Sequence, residues 1–333
     1  MTEKILQTIQ QYNWPETVIV AVSGGVDSVV LVHALSKTKA NLVIAHVNYR
    51  LREESDDDAD FVRQLATQTG AIFEEQVWQH IPDHAVEKAA RQFRYDFFEE
   101  LAQKYHTNTI AVAHHADDQA ETVLLKMIRG GQLQQMGGMQ TKNHKVIRPF
   151  LSITKQELIT YAQDNQLGWR QDKTNFDVDY TPRNLLRNDV LPKLTTINQR
   201  AVRHINNMAA QILQQQRLID NQAKIYANDI QDWQKIPTLW QLPTLKYWLQ
   251  KNKLFNIKEN QLQQMIQLLS NTHKPNGKIA LADNFEFIKN YQKISIQKQQ
   301  NMAQVLTPVM LKLNQWHSFA KTTFMWTCLL YTS

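Results

Sequence analysis

Short apolar runs alternate with amphipathic segments through the first half of the chain. The predicted strands are Val18–Val22, Leu42–Val47, Ile72–Val77 and Thr109–Ala113. The segments with helical spacing are Ser28–Ser36, Ala59–Thr69, Val86–Tyr105 and Asp118–Arg129. This alternation predicts βαβ units, and therefore an α/β fold in which a parallel sheet carries helices on both faces.

The pattern changes after the last of these segments. Thr154–Gln166 is a predicted helix, because Thr154 and Glu157 have the spacing of a capping box. Pro192 closes the polar region that follows, and we place a domain boundary there, after residues 1–192. A mainly helical, Gln-rich second domain is expected over residues 193–300, ending in a β-hairpin within Lys278–Ile296. Residues 301–333 are weakly patterned, and we interpret them as the start of a truncated C-terminal domain or as an artefactual tail.

Composition narrows the class of protein. With 43% apolar and 20% charged residues, the 333-residue chain is neither disordered nor a coiled coil. It has no apolar run long enough to cross a bilayer, and its polar N-terminal segment lacks the apolar core of a secretory signal. We therefore expect no membrane contact and a cytoplasmic location. The single cysteine, Cys328, excludes a disulfide framework and a Cys-ligated zinc or iron–sulfur centre.

Charge is unevenly distributed along the chain. Residues 1–190 carry 20 Lys and Arg against 25 Asp and Glu, whereas residues 191–333 carry 17 against 6. A basic half joined to an acidic half indicates a polyanion held by one part and modified by the other, although lysines that only keep helices soluble give the same balance.

The segment Ser23–Ser28 follows the first predicted strand and opens a helix. Gly24 and Gly25 allow the backbone to approach an anion closely, and the amides of the helix start would then face that anion. Asp27 would repel phosphate unless a cation lies between them, which implies Mg²⁺. The segment lacks the Gly-Lys-Ser/Thr ending of a Walker A loop and resembles the pyrophosphate loop of the ATP pyrophosphatases. A glycine corner needed only for packing is the alternative.

A second group of polar residues, His114–Thr122, follows the strand Thr109–Ala113, where ligands of open α/β sheets bind. Asp118 and Glu121 lie three residues apart and share a helix face, so the pair can bind an ammonium group. Acidic residues also favour helix N-termini, so a solvated face is the competing interpretation. Arg91 and Arg94 are one helical turn apart and suit phosphate or carboxylate recognition.

These features belong to an ordered set of motifs. The motifs are Ser23–Ser28, His46–Arg52, Ala89–Tyr95, Ala113–Thr122, Ile128–Gly131, Arg148–Leu151, Trp169–Asn175 and Tyr180–Pro192. Together they resemble the tRNA(Ile)-lysidine synthase family. Lys173-Thr174 stands where that family usually has Pro-Ser, and Tyr49-Arg50 where it usually has His-Gly.

The resemblance implies a reaction and its participants. Lysine would be joined to C2 of the wobble cytidine of a tRNA(Ile) with a CAU anticodon, through an adenylated cytidine. The reaction would require ATP and Mg²⁺. A homodimer is compatible with the resemblance, but the sequence does not decide the oligomeric state. The implied nucleotide-binding residues are Ser23, Gly24, Gly25, Val26, Asp27 (also the Mg²⁺ ligand), Ser28 and His46. The implied catalytic residues are Asp27, Arg94, His115, Asp118, Glu121 and Arg183. The implied binding residues for lysine, cytidine or tRNA are Arg91, Arg94, His114, Asp118, Glu121, Arg129, Asn175, Arg183, Asn184 and Arg187.

Three other functions share some of these features. A tRNA thiolation enzyme has the same loop, but its sulfur chemistry needs cysteines that this chain lacks. An amidotransferase-type synthetase activates a small acceptor, which the basic second half does not favour. An inactive RNA-binding module would leave Asp27, Asp118 and Glu121 unexplained.

Overall fold

The computed structural model describes residues 2–50, 53–79, 82, 86–131, 133–170, 181–255, 257–298, 316–319 and 322–325. Its contacts divide the chain into two compact units, Met1–Ile219 and Asp220–Ser333. This division lies inside one continuous helix, Ala201–Asn228, whereas the sequence analysis places a boundary near Pro192. Most of the predicted tail, including Cys328, lies outside the described residues.

The first unit is built on a six-stranded sheet. Its strands are β1 (Thr17–Ala21), β2 (Asn41–Asn48), β3 (Ile72–Val77), β4 (Ile110–Ala111), β5 (Lys142–Asn143) and β6 (Val146–Ile147), in the order β3-β2-β1-β4-β6-β5. All neighbouring strands are parallel except β5, which pairs antiparallel with β6. The predicted parallel sheet is confirmed, with one short antiparallel strand added at its edge.

Helices cover both faces of this sheet. They are α1 (Thr2–Gln10), α2 (Val26–Leu35), α3 (Ser55–Thr69), α4 (Val86–Lys104), α5 (Ala116–Ile128), α6 (Lys155–Asp164), α7 (Pro182–Leu185), α8 (Leu191–Ile197) and α9 (Ala201–Asn228). Successive residues of a strand point to opposite faces. Val18 and Val20 of β1 accordingly join the apolar cluster of α2, α3 and α6, while Ile19 packs with Phe97 and Phe98 of α4.

Two local features fix segments near the carboxyl ends of the strands. A π-helical turn, Leu186–Val190, connects α7 to α8, so helical structure continues from Pro182 to Ile197. Gln119 of α5 binds the backbone of Met139 twice, because its Nε2 donates to the carbonyl at 3.0 Å and its Oε1 accepts from the amide at 2.7 Å. Gly138, beside this contact, has a φ of +70°.

The second unit combines helices with two small antiparallel sheets, one of three strands and one of two. Its further elements are α10 (Thr238–Lys251), α11 (Glu259–Ser270), β7 (Asn276–Ala280), β8 (Phe285–Asn290), β9 (Lys293–Lys298), β10 (Trp316–Phe319) and β11 (Thr322–Met325). The predicted hairpin corresponds to β7 and β8, and Asp283 and Asn284 at its turn both have positive φ. β9 extends it to three strands. Trp233 and Phe287 are buried in the core of this unit.

None of the helices within the described ranges combines the length and the apolar character that crossing a bilayer requires.

Candidate active site

The turn between β1 and α2 is the first part of the site. Gly24 has a φ of +88°, a left-handed conformation that favours glycine, and its carbonyl accepts the Arg170 amide at 2.9 Å. The carbonyl of Gly25 accepts the Ser28 hydroxyl at 2.8 Å and the Val29 amide at 3.1 Å. No side chain caps α2, so the amides of its first turn remain available to an anion.

Asp27, in that first turn, forms an ion pair with Lys155 at the start of α6. The Lys155 Nζ lies 2.8 Å from Oδ1 and 2.7 Å from Oδ2 of Asp27. The backbone amide of Lys155 donates to Oδ2 of Asp117, in the first turn of α5, at 2.9 Å. The N-terminal ends of α2, α5 and α6 therefore meet here, where helix dipoles stabilise carboxylates.

His115 lies among three carboxylates and is 4% exposed. Its Nε2 is 3.8 Å from Oδ2 of Asp27 and 3.5 Å from Oδ2 of Asp118, while its Nδ1 is 3.5 Å from Oδ2 of Asp117. Burial alone would lower the pKa of His115, but the three carboxylates outweigh it and raise that pKa. This favours a positively charged imidazole between the carboxylates.

The neighbouring His114 is held in the opposite state. Burial lowers the pKa of His114 to about 4, so the ring is neutral at pH 7. The Arg148 Nε donates to its Nδ1 at 3.2 Å. Arg94 of α4 lies near this ring and near Tyr49.

Two arginines from the segment after α6 bind the acidic pair of α5. Glu121 is fully buried; its Oε2 accepts from Arg183 Nε at 3.0 Å, and its Oε1 accepts from Arg187 Nε at 2.7 Å. Arg187 Nη2 also donates to Oδ1 of Asp118 at 2.8 Å. Burial raises the pKa of Glu121 against the effect of both arginines. The pKa of Asp118 is lowered despite its burial, because His115, His114 and Arg187 are close.

A cavity of about 1160 Å³ lies within the first unit and is lined by part of these groups. The predicted residues Arg94, His114 and Arg183 are not among its lining residues. Its lining includes Ser23, Gly25, Asp27, His46, Asp118, Lys155 and Arg187. The volume exceeds the roughly 300–1,000 Å³ of most small-molecule sites, so the cavity has room for more than one small ligand. Gly25 and Asp118 thus face the same space.

Three other residues predicted for the site do not line the cavity, and a fourth lies outside the described residues. Arg91 is exposed, with its guanidinium 4.8 Å from the centre of the Tyr95 ring. Arg129 caps the far end of α5, about 16 Å along the helix from Asp118, and is not brought to the cavity. Asn184 is buried in α7, and Asn175 lies outside the described residues.

The sequence analysis assigned no role to three cations that the fold brings to this region, although Arg148 and Arg170 lie in two of its motifs. Lys155 pairs with Asp27, Arg148 binds His114, and Arg170 pairs with Asp58 of α3 at 2.9 Å. Their partners lie between 34 and 128 positions away along the chain, so no local spacing marks them. The one available signal is that Lys155 immediately follows the capping residue Thr154, at a helix start where a cation is not favoured.

Two features of the site bear on its fit to a nucleotide and a divalent cation. The His46 Nδ1 bonds the Val22 carbonyl at 2.9 Å, which leaves Nε2 buried, unpartnered within the described structure and next to the cavity. Such an atom fits a polar group of a ligand. No three His, Cys, Asp or Glu side chains of the described ranges form a metal cage. Mg²⁺ beside phosphates needs only one or two carboxylates, however, and Asp27 supplies one.

Comparisons with known proteins identify the family of the chain. Residues 1–194 match the PP-loop domain family. The tRNA(Ile)-lysidine synthase of Lactiplantibacillus plantarum is 30% identical over 329 residues, covering 92% of this chain and 73% of that protein. The enzyme of the same name from Enterococcus faecalis is 30% identical, covering 86% and 67%. The Bacillus subtilis enzyme is 42% identical over 194 residues, covering 54% and 40%.

A solved structure supports the fold. The U34-tRNA thiolase of Methanococcus maripaludis, with its [4Fe-4S] cluster, superimposes with a TM-score of 0.53 at 17% identity, covering 64% of this chain and 78% of that one. At this identity the likeness establishes a common fold alone. The family match spans more than half of the chain, and two relatives extend it through most of the rest. The chain therefore belongs to the PP-loop family and, within it, to the tRNA(Ile)-lysidine synthases.

Proposed function

We propose that this protein joins lysine to C2 of the wobble cytidine in a tRNA(Ile) with a CAU anticodon, with release of pyrophosphate and AMP from ATP. Membership of the PP-loop family implies ATP use. The observation that carries the proposal is the single cavity that contains both the Gly25 turn and the Asp118–Arg187 pair. It offers a phosphate site and a charged acceptor site within one space.

The first step activates the base. The cytidine O2 attacks the α-phosphorus of ATP, which forms the adenylated base and releases pyrophosphate. The free amides of α2 and the exposed Ser23 would hold the phosphates, whereas the Ser28 hydroxyl already donates to Gly25. Mg²⁺ on Asp27 would neutralise charge on the phosphate oxygens.

The second step forms the new bond. The neutral ε-amine of lysine attacks C2, AMP leaves with O2, and the proton lost by the amine passes to an ionised carboxylate that acts as the base. Asp118 and Glu121 are the proposed contacts for lysine nitrogen, with Arg94 or Arg183 for its carboxylate. The proposal is supported by the partial exposure of Arg183, at 36% of its side chain, beside fully buried Glu121.

The tRNA must present an unstacked base to this cavity. Enzymes that act on a base take it out of its stack and hold the surrounding backbone electrostatically. Residues 191–333, with 17 basic against 6 acidic side chains, are the proposed backbone-binding region. We expect tRNA affinity to fall steeply with salt.

Lysine incorporation tests the function directly. Purified protein is incubated with ATP, labelled lysine and a tRNA(Ile) transcript with a CAU anticodon, and we expect label in the tRNA. The matched control is the same transcript with uridine at the wobble position, which should remain unlabelled. No incorporation, or equal incorporation into both transcripts, contradicts the proposal. An iron–sulfur thiolation activity is disfavoured because the chain has one cysteine.

The acceptor role of the acidic pair needs its own variant. We expect Glu121→Gln to lower kcat/KM for lysine by about 10²-fold, because it removes a charge from the acceptor site. The control is Glu100→Gln, at an exposed position of α4. Unchanged KM and kcat for lysine in the Glu121 variant would show that this role is wrong.

A further inference from the structure

Lys155 occupies the position that the proposed function assigns to Mg²⁺. Its Nζ lies 2.8 and 2.7 Å from the two carboxylate oxygens of Asp27. A divalent cation on the same oxygens would lie within a few ångströms of the ammonium group, where like charges repel strongly. Lys155 and Mg²⁺ therefore compete for the oxygens of Asp27, and a cation that takes both oxygens displaces the lysine.

The head of Lys155 is free to make that move. Its side chain is 39% exposed and that of Asp27 is 25% exposed, so water weakens the pair. Within the described structure, the hydrogen bonds of this Nζ go to Asp27 alone. Lys289 shows the opposite case, because its Nζ is bound by the carbonyls of Leu268 and Asn271, both at 2.8 Å, and the residue is 8% exposed.

The backbone of Lys155, in contrast, is firmly held. Its amide is bound by Asp117 at 2.9 Å, and Thr154 and Glu157 form a capping box around the same helix start. A contact of 2.9 Å between the Tyr161 hydroxyl and the His33 Nδ1 joins α6 to α2. A fixed backbone with a flexible four-carbon stem lets the ammonium group pivot within the cavity.

We propose that Lys155 exchanges partners during the reaction cycle: it binds Asp27 in the nucleotide-free protein and the phosphate chain of ATP once Mg²⁺ has taken Asp27. This inference rests on the proposed ATP-dependent function. Before nucleotide binds, Lys155 balances the carboxylates that meet at the starts of α2 and α5. Afterwards it adds a positive charge to the pyrophosphate group that leaves, a role for which lysine is well suited.

The exchange predicts two effects of opposite sign for Lys155→Met. Without the competing ammonium group, the affinity of the free protein for Mn²⁺ rises several-fold, as measured by electron paramagnetic resonance. The affinity for pyrophosphate in the presence of Mg²⁺ falls about tenfold, as measured by calorimetry, because one charged contact is lost. Lys155→Arg retains most of the pyrophosphate affinity.

The matched control is Lys4→Met. Lys4 pairs with Glu157 at 2.6 Å and so contacts the same helix start, but it does not line the cavity. We expect neither affinity to change in this variant. A lysine that only stabilises α6 would give the same result at both positions, since each variant removes one ion pair there.

The outcomes are decisive. Unchanged pyrophosphate affinity, or unchanged Mn²⁺ affinity, in Lys155→Met overturns the exchange while the proposed function stands. Wild-type protein that binds neither pyrophosphate nor ATP overturns both. If the Met variant does not fold, a crystal structure of the wild type with Mg²⁺ and α,β-methylene ATP decides. We expect the Nζ to contact a phosphate oxygen there, and an intact pair with Asp27 contradicts the proposal.

Discussion

Two groups of charged residues lie at the same cavity, whose lining includes all of them except Arg183, and they differ in how firmly they are held. The arginine cluster comprises Asp118, Glu121, Arg183 and Arg187, and its central carboxylate is fully buried with both oxygens bound. The lysine cluster comprises Asp27, Asp117, His115 and Lys155, and its main ion pair is partly open to water.

This difference separates fixed charges from exchangeable ones. Removing one partner of a buried pair leaves an uncompensated charge in a poorly solvated place, so the arginine cluster keeps one geometry. A partly exposed ion pair contributes little to stability, so replacing one partner by a ligand costs little free energy. The fixed cluster suits recognition of an acceptor, and the exchangeable cluster suits the loading and release of a charged nucleotide.

The largest effect is expected at the exchangeable cluster. Asp27→Ala should lower kcat/KM for ATP about 10³-fold, because it removes the proposed Mg²⁺ ligand, and it should hardly change stability. Lysine incorporation at varied ATP gives the rate, and urea unfolding gives the stability. The control is Asp189→Ala, whose carboxylate pairs with Lys193 and has an exposed fraction of 40%. A loss below tenfold would contradict the assignment.

The fixed cluster should respond in stability. Arg187→Met removes a contact to Asp118 and two to Glu121, leaving a buried carboxylate with Arg183 alone. We expect the free energy of unfolding to fall by about 3 kcal/mol, measured by urea titration. Lys193→Met, which breaks an exposed pair, should change it by less than ~0.5 kcal/mol. Similar losses in the two variants would remove the distinction between the clusters.

A smaller effect concerns pH. The pKa of His114 is lowered to about 4, so the unfolded chain binds a proton more readily than the native protein between about pH 6.5 and 4. The contribution of His114 to the free energy of unfolding is therefore constant above pH 6.5. Below that pH the free energy of unfolding falls, by about 2 kcal/mol at pH 5. His114→Gln should flatten that part of the dependence in unfolding titrations at pH 7 and pH 5, measured beside the wild type. An unchanged slope would show that His114 does not cause it.

The smallest effect tests the turn that presents Asp27. Gly24→Ala places a side chain at a φ of +88° and should cost about 1 kcal/mol of stability. Gly70→Ala is a matched control, because Gly70 has a φ of +66° with open space around it. Both variants should lose stability equally in thermal unfolding, but only the Gly24 variant should bind ATP more weakly. Equal ATP affinities would mean that this turn does not contact the nucleotide.

The sequence predicted the sheet well where apolar runs were continuous. Leu42–Val47 corresponds to β2, which spans Asn41–Asn48, and Ile72–Val77 coincides with β3. It missed β5 and β6, because each contains two residues and no periodicity can register in so short a run. The turn at Gly24 and the start of α5 could be predicted, because residues adjacent in the sequence indicate each of them.

The contacts of the site were less predictable than its residues. Asp118 and Glu121 share a helix face, as spacing indicated, but their arginine partners lie more than sixty positions away. Arg187 reaches both carboxylates from the π-helical turn Leu186–Val190, and a rare helical register of this kind has no sequence signature. Lys155 was missed for a related reason, since a long-range ion pair leaves no pattern along the chain.

Gln119 has a further consequence for the segment between α5 and β5. The side-chain amide of Gln119 uses one N–H and its oxygen to bind the carbonyl and the amide of Met139, as the backbone of a neighbouring strand would. Glutamate has the same shape but cannot donate when ionised, so exchanging one nitrogen for oxygen would remove one of these two hydrogen bonds. The neighbouring position admits no side chain either, because a Cβ on Gly138 would lie 2.5 Å from the Gln119 Nε2. The attachment of this segment thus depends on the terminal nitrogen of Gln119 and on the absence of a side chain at Gly138.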